Sequence, residues 1–320
     1  MDAINFDPDA IARALGIAIP RQVAGSLPTA ASPAFAPHRF RLGAFDCLIV
    51  NDGAYTVPAA FLAGNAPPRA LAQALDRPLG TAAGGHTTTM NILLVDTGKQ
   101  LVLIDAGFGV FSPLTGRLIP SLRSLGVFPA DIDAVVITHA HGDHIVGLLD
   151  AAGKLAFPNA RHLINRIEWD FWLSDPDLAE LTLDEPMKRV FRDSAKAILT
   201  RVRHRVDLFD DGEEILPGFT AVSAPGHTPG HTAVEIVSEG AVLLHVVDAA
   251  VIPNLHLSHP DWFLRPDNWP AHALLTRRRL LDRAASEDLL VQAFHFPFPG
   301  LGRVVGDGDN WTWHPTTGTA

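Results

Sequence analysis

Cysteine is almost absent from this 320-residue sequence, where Cys47 stands alone. No intramolecular disulfide can form, and zinc modules built from several cysteines are excluded. Basic residues are outnumbered: 25 Lys and Arg against 35 Asp and Glu leave a formal net charge of −10. No run of Lys or Arg supplies the electrostatic footprint that nucleic acid or an anionic membrane demands, so neither is expected as a partner. No uninterrupted apolar stretch approaches the roughly 20 residues of a membrane span. The first residues, with Asp2, Asp7 and Asp9, lack the basic segment, apolar run and small-residue cleavage site of a secretory leader, which points to the cytoplasm.

What is present is a large apolar complement, 47% of the chain, enough for a substantial buried core. Residues 1–38 read as a short N-terminal helix and an extended arm rich in Pro, Ala and Ser, and residues 39–320 as one domain. Phe40 to Leu42 and Phe45 to Val50 flank Gly43-Ala44 as a hairpin does, and Asn91 to Val95 and Leu101 to Asp105 flank a DTGK turn. Helical spacing over Leu118 to Leu125 leads into the strand-like Ala134 to Thr138. The alternation recurs with a strand at Arg161 to Ile164, a helix from Met187, and strands near 220–223, 233–237 and 242–247. A helix over 271–285 and a strand at Leu289 to Phe294 close the pattern. This order favours two sheets covered on the outside by helices.

The densest chemistry lies in Thr138-His139-Ala140-His141-Gly142-Asp143-His144, three imidazoles and a carboxylate within six residues. On an extended backbone His139 and His141 face the same way and can share one ion, while the turn at Gly142 swings Asp143 and His144 toward a second. Partners appear at the ends of later strands. His227 lies in Ala224-Pro225-Gly226-His227-Thr228-Pro229-Gly230-His231, Asp248 follows the apolar run Ala241 to Val247, and His295 ends Leu289 to Phe294. The bland alternatives are a polar loop capping a helix, a turn histidine and a strand-end cap. Together, seven such residues point to metal.

In order and spacing these motifs resemble those of the metallo-β-lactamase superfamily over about residues 90–300. The resemblance implies an α/β fold, a four-layer αβ/βα sandwich of two mixed β-sheets flanked by helices. It implies His139, His141 and His227 on a first metal, Asp143, His144 and His295 on a second, and Asp248 bridging them. The closing HFPFPGLG, with Phe157-Pro158-Asn159-Ala160 and Asp170-Phe171-Trp172-Leu173, is similar to the methyl parathion hydrolase group and its N-acyl homoserine lactonase relatives. Those relatives often carry Gly just before the bridging aspartate and His three residues after it, where this chain has Val247 and Val251.

A hydrolase of esters, lactones or phosphotriesters is therefore expected, with Asp143 and Asp248 as its catalytic carboxylates and a small molecule as its substrate. Two divalent ions sharing a bridging hydroxide would attack the bond. Zinc is the default metal, although manganese, iron and cobalt suit the same ligands. A thioester hydrolase of the same fold and a non-catalytic ligand-binding protein are the alternatives. Likeness to the organophosphate group implies a homodimer.

The remaining residues carry less. His231 and Asp105 are expected to orient the ligands from behind, and Phe171, Trp172, Phe296, Phe298 and His86 to line a substrate pocket. Tyr55, the sole tyrosine, is expected to take no part. The Arg277-Arg278-Arg279 triplet reads as a solvated helix face, and His245, His256 and His272 as structural.

Overall fold

The runs LVLI at 101–104 and AVVI at 134–137 are apolar at every position, as strands covered on both faces require. In the computed structural model, which describes residues 36–75 and 85–316, they lie side by side and parallel in the middle of a sheet. Ala134 and Val136 point to one face, Val135 and Ile137 to the other.

That sheet has seven strands in sequential order: β1 (His38–Leu42), β2 (Phe45–Pro58), β3 (Gly85–Asp96), β4 (Leu101–Ile104), β5 (Ala134–Ile137), β6 (Arg161–Asn165) and β7 (Val206–Phe209). Pairing is antiparallel from β1 to β4 and parallel from β4 to β7. A second sheet is also sequential: β8 (Glu214–Leu216), β9 (Phe219–Ser223), β10 (Thr232–Ser238), β11 (Ala241–His245), β12 (Leu290–Gln292), β13 (Leu301–Asp307) and β14 (Asn310–Pro315). Only β11 and β12 run parallel there. The helices are α1 (Ala59–Leu62), α2 (Pro68–Ala74), α3 (Leu118–Ser124), α4 (Gly142–Ile145), α5 (Arg166–Leu173), α6 (Glu185–Val202), α7 (Pro253–His256) and α8 (Pro270–Ser286).

Three apolar clusters define the layers. Phe40, Ile49, Val102, Val136 and Leu163 of the first sheet meet Phe219, Val234, Ile236 and Leu243 of the second. The outer face of the first sheet packs on α3, α5 and α6 through Leu118, Leu122, Trp172, Ile198 and Leu199. The outer face of the second packs on α8 through Leu280, Leu281 and Ala284. The result is helix, sheet, sheet, helix, with two mixed sheets at the centre, as expected. Helix α6 starts two residues before the expected Met187 because Asp184 accepts a hydrogen bond from the Met187 amide, a side-chain cap.

The expected N-terminal helix and arm, residues 1–38, fall outside the described residues apart from the last few, and β1 begins at His38. Two other expectations end differently. The chain does not close at the strand near 290, since β13 and β14 add a hairpin to the edge of the second sheet. Arg277 is not on a solvated face. It is wholly buried and donates to the carbonyls of Ala249 (2.7 Å), Pro260 (2.9 Å) and Trp262 (2.6 Å), which fastens the segment after Asp248 to α8. No helix among the described residues is long and apolar enough to cross a membrane.

Candidate metal centre

Strands β4, β5, β9, β11 and β12 all release the chain at one rim, where the two sheets meet. His139 and His141 leave β5 in extended conformation, and His141 then becomes the residue before α4, whose first turn carries Asp143 and His144. His227 comes from the turn after β9, Asp248 from the short helical turn after β11, and His295 from the loop after β12. All seven side chains converge, and the six other than Asp143 are almost wholly buried.

Asp248 stands between two sets of imidazoles. Its Oδ2 lies 3.2 Å from His227 Nε2 and 3.9 Å from His139 Nε2. Its Oδ1 lies 3.5 Å from both His144 Nε2 and His295 Nε2. On the first side His141 Nδ1 is 2.9 Å from His227 Nε2. On the second, Asp143 Oδ2 is 3.2 Å from His295 Nε2 and 3.8 Å from His144 Nε2. Each of three groups, His139–His141–His227, His139–His144–Asp248 and Asp143–His144–His295, keeps its ligand atoms within 4.8 Å of one another. His139 Nε2, His144 Nε2 and Asp248 Oδ1 are buried without a hydrogen-bond partner. Buried polar atoms are rarely left so. Nitrogen and oxygen atoms aimed at a common centre are the donor set that divalent cations prefer, and the residues fit such ions.

Behind the cluster a second layer of hydrogen bonds holds the rings of His144, His227 and His295. Asp105 accepts from His144 Nδ1 (2.7 Å), the Thr138 hydroxyl (2.7 Å) and the Thr138 amide (2.9 Å). His231 donates from Nδ1 to the Ala224 carbonyl (2.9 Å), and its Nε2 accepts the Asp248 amide (3.2 Å). His295 Nδ1 donates to the Thr89 carbonyl (2.8 Å). Asp267 accepts from His227 Nδ1 (2.7 Å) and from the Leu264 amide. Nothing in the local sequence around Asp267 marks it. Val247 is held at φ +50°, a strained conformation for a β-branched residue that Gly adopts freely.

The cluster opens onto an apolar cavity bordered by Tyr55, Val57, Phe61, Leu62, Phe108, Val190, Phe191, Val251 and Leu264. None of the five residues expected to line a pocket borders it. Phe171 packs into the helix layer. Trp172 is wholly buried beneath His141, Phe296 meets Trp313 in the core beside α8, and Phe298 lies against the inter-sheet core. His86 sits on β3 opposite Val57. The reason is directional: the chain turns back into β13 straight after His295, which carries Phe296 and Phe298 away from the rim. Tyr55, expected to be idle, does border the cavity and donates from its hydroxyl to Asp143 Oδ2 at 2.7 Å. The register of β2 against β3 shifts between Asn51 and Ala54, just before it.

Residues 89–292, well over half of the chain, match the family model for the metallo-beta-lactamase superfamily. The chain belongs to that superfamily. Among curated relatives, the N-acyl homoserine lactonase AttM of Azorhizobium caulinodans is 31% identical over 139 residues, 41% of this chain and 46% of that protein. The chain spans about half the length of the curated relatives it matches. Among solved structures, AidC, a dizinc quorum-quenching lactonase in complex with a product, matches with a TM-score of 0.82 and 29% identity. The match covers 89% of this chain and 99% of that one. The hydrolase AbOPH of the beta-lactamase superfamily matches with a TM-score of 0.80 and 25% identity over 89% and 99% of the two chains.

Without cations, the cluster holds protons. Burial alone would pull the His227 and His295 rings below their ordinary value of 6.5, yet the facing carboxylates push both up to about 9, Asp248 and Asp267 for the former and Asp248 and Asp143 for the latter. A raised histidine pKa stabilises the fold below the unfolded value and loses that effect as pH rises through the folded one. Metal-stripped protein is therefore expected to lose several degrees of melting temperature between pH 6.5 and pH 9. A flat or rising melting temperature over that interval would contradict this charge distribution.

Proposed function

We propose that the protein is a metal-dependent lactonase that holds two divalent cations and opens uncharged lactones bearing an apolar acyl chain. The observation that carries the reading is Asp248, whose two oxygens face two separate imidazole sets at the floor of an apolar cavity. His139, His141 and His227 would hold one cation and Asp143, His144 and His295 the other, with Asp248 between them. Bound there, the cations would supply Lewis acidity and bring the pKa of water down to about 7.

The chain's own residues supply the rest. Asp105 and Asp267 keep His144 and His227 oriented and raise their basicity. Tyr55 donates from its hydroxyl to Asp143 and so restrains the direction of that carboxylate. Phe61, Leu62, Phe191 and Leu264 offer the acyl chain a dry surface that also keeps bulk water from the reacting bond. Among the described residues, no Lys or Arg borders the cavity. A substrate carrying a carboxylate or phosphate group out along the apolar wall, away from the cations, would bury that charge unpaired, which is costly. A neutral lactone meets no such penalty. The names of the similar lactonases support the same substrate class.

Metal-stripped protein should be inactive and regain activity with two equivalents of Zn2+. On N-acyl homoserine lactones, kcat/KM should rise about fourfold per methylene until the cavity is full, the equivalent of about 0.8 kcal/mol for each buried CH2. Zinc-loaded protein that opens no lactone of any chain length would sink the proposal. Tyr55→Phe should lower kcat about tenfold, the usual scale for an outer partner of a ligand, and far less than His139→Ala. A loss equal to that of His139→Ala would mean that Tyr55 acts on the substrate directly.

A further inference from the structure

Glu168 is a wholly buried carboxylate at the third position of α5. The helix is capped by Asn165, whose side chain accepts from the Ile167 amide. A Glu three residues after such a cap ordinarily reaches back to the cap residue's own amide. Here it turns inward instead. Its Oε1 accepts from the Ala140 amide (2.8 Å) and the Trp172 indole N–H (2.7 Å). Its Oε2 accepts from the Thr228 hydroxyl (2.6 Å) and the Gly230 amide (3.0 Å). Ala140 separates His139 from His141, and Thr228 follows His227. One carboxylate thus joins two loops, distant in sequence, that carry three converging imidazoles. The contact is close: a Cβ on Gly230 would lie 2.2 Å from the Glu168 amide nitrogen, so only glycine lets the second loop rest on α5. All four partners are donors, and together they occupy what a carboxylate can accept.

We propose that Glu168 is a positioning residue that sets the spacing between His139 with His141 and His227, and through it the affinity of that three-imidazole group for a cation. The inference rests on the reading of the cluster as a metal centre. Glu168→Gln has almost the same shape but cannot accept from four donors. With its oxygen toward Ala140 and Trp172, its amide nitrogen faces Thr228, whose hydroxyl can rotate to accept, and Gly230, whose N–H cannot. The loop bearing His227 is therefore released while the loop bearing His139 stays tied.

The test is a Co2+ titration of the metal-stripped full chain against a competing chelator, read by cobalt visible absorption, together with amide exchange of the metal-free protein. The wild type should take up two equivalents. Glu168→Gln should keep one at wild-type affinity, bind the other 10- to 100-fold more weakly with an altered cobalt band, and exchange the Gly230 amide faster. Thr228→Val, which deletes only one hydrogen bond to Glu168, should weaken the same equivalent about fivefold, and it decides the matter if the Gln variant does not fold. Wild-type affinity and spectrum in both variants would overturn the role of Glu168 and leave the metal centre standing. A wild type that takes up no cobalt would overturn the metal centre, and this inference with it.

Discussion

The constraint on which the structure turns is that four imidazoles must approach the two oxygens of one buried carboxylate, Asp248. Bringing polar groups together away from water is costly unless each has a partner. The fold meets that cost from behind. Asp105, Asp267, His231 and the Thr89 carbonyl each take or give a hydrogen bond on the far side of a ring or backbone group, so that the near side stays free to converge. Two sheets that end their strands at one rim are what make this possible, because side chains from β4, β5, β9, β11 and β12 need only short loops to meet.

Residues that act through local spacing are legible in the amino-acid sequence alone. The HAHGDH segment carries its own geometry, since an extended backbone followed by a one-turn helix aims His139 and His141 one way and Asp143 and His144 another. The early hairpins and the parallel strands are equally plain, because period-two burial and unbroken apolar runs are properties of short windows. Partners drawn from distant windows are not. Tyr55 sits in a strand where an aromatic needs no explanation, and its partner Asp143 lies 88 positions away in the sequence. Glu168 occupies a position where a helix-capping role is the ordinary one, and Asp267 lies in a loop with no periodicity at all. Arg277 has the composition of a surface residue, and its burial follows from three carbonyls that only the folded chain brings to it. The aromatics after His295 mislead for a related reason: nearness in sequence to a ligand says little about direction once the chain reverses into β13.

One strained backbone position lies beside Asp248. Val247 holds a left-handed backbone conformation next to Asp248 although its side chain is β-branched, and His245 Nδ1 accepts its amide. Such strain persists only where neighbours over-determine the position. Here Arg277 and His256 supply that framework: Arg277 binds the Ala249 carbonyl, while His256 takes the Val251 and Ile252 amides and reaches the Leu62 carbonyl. The same contacts join the turn after Asp248 to α1, so hydrogen bonds tie the floor of the apolar cavity to one of its walls.

If Asp248 lies between two cations, anomalous diffraction from crystals of the zinc-loaded protein, collected on either side of the zinc absorption edge, reveals them most directly. Two peaks are expected roughly 3.5 to 4 Å apart, one beside His139, His141 and His227 and the other beside Asp143, His144 and His295. A single peak, or none within reach of Asp248, would contradict the two-cation centre.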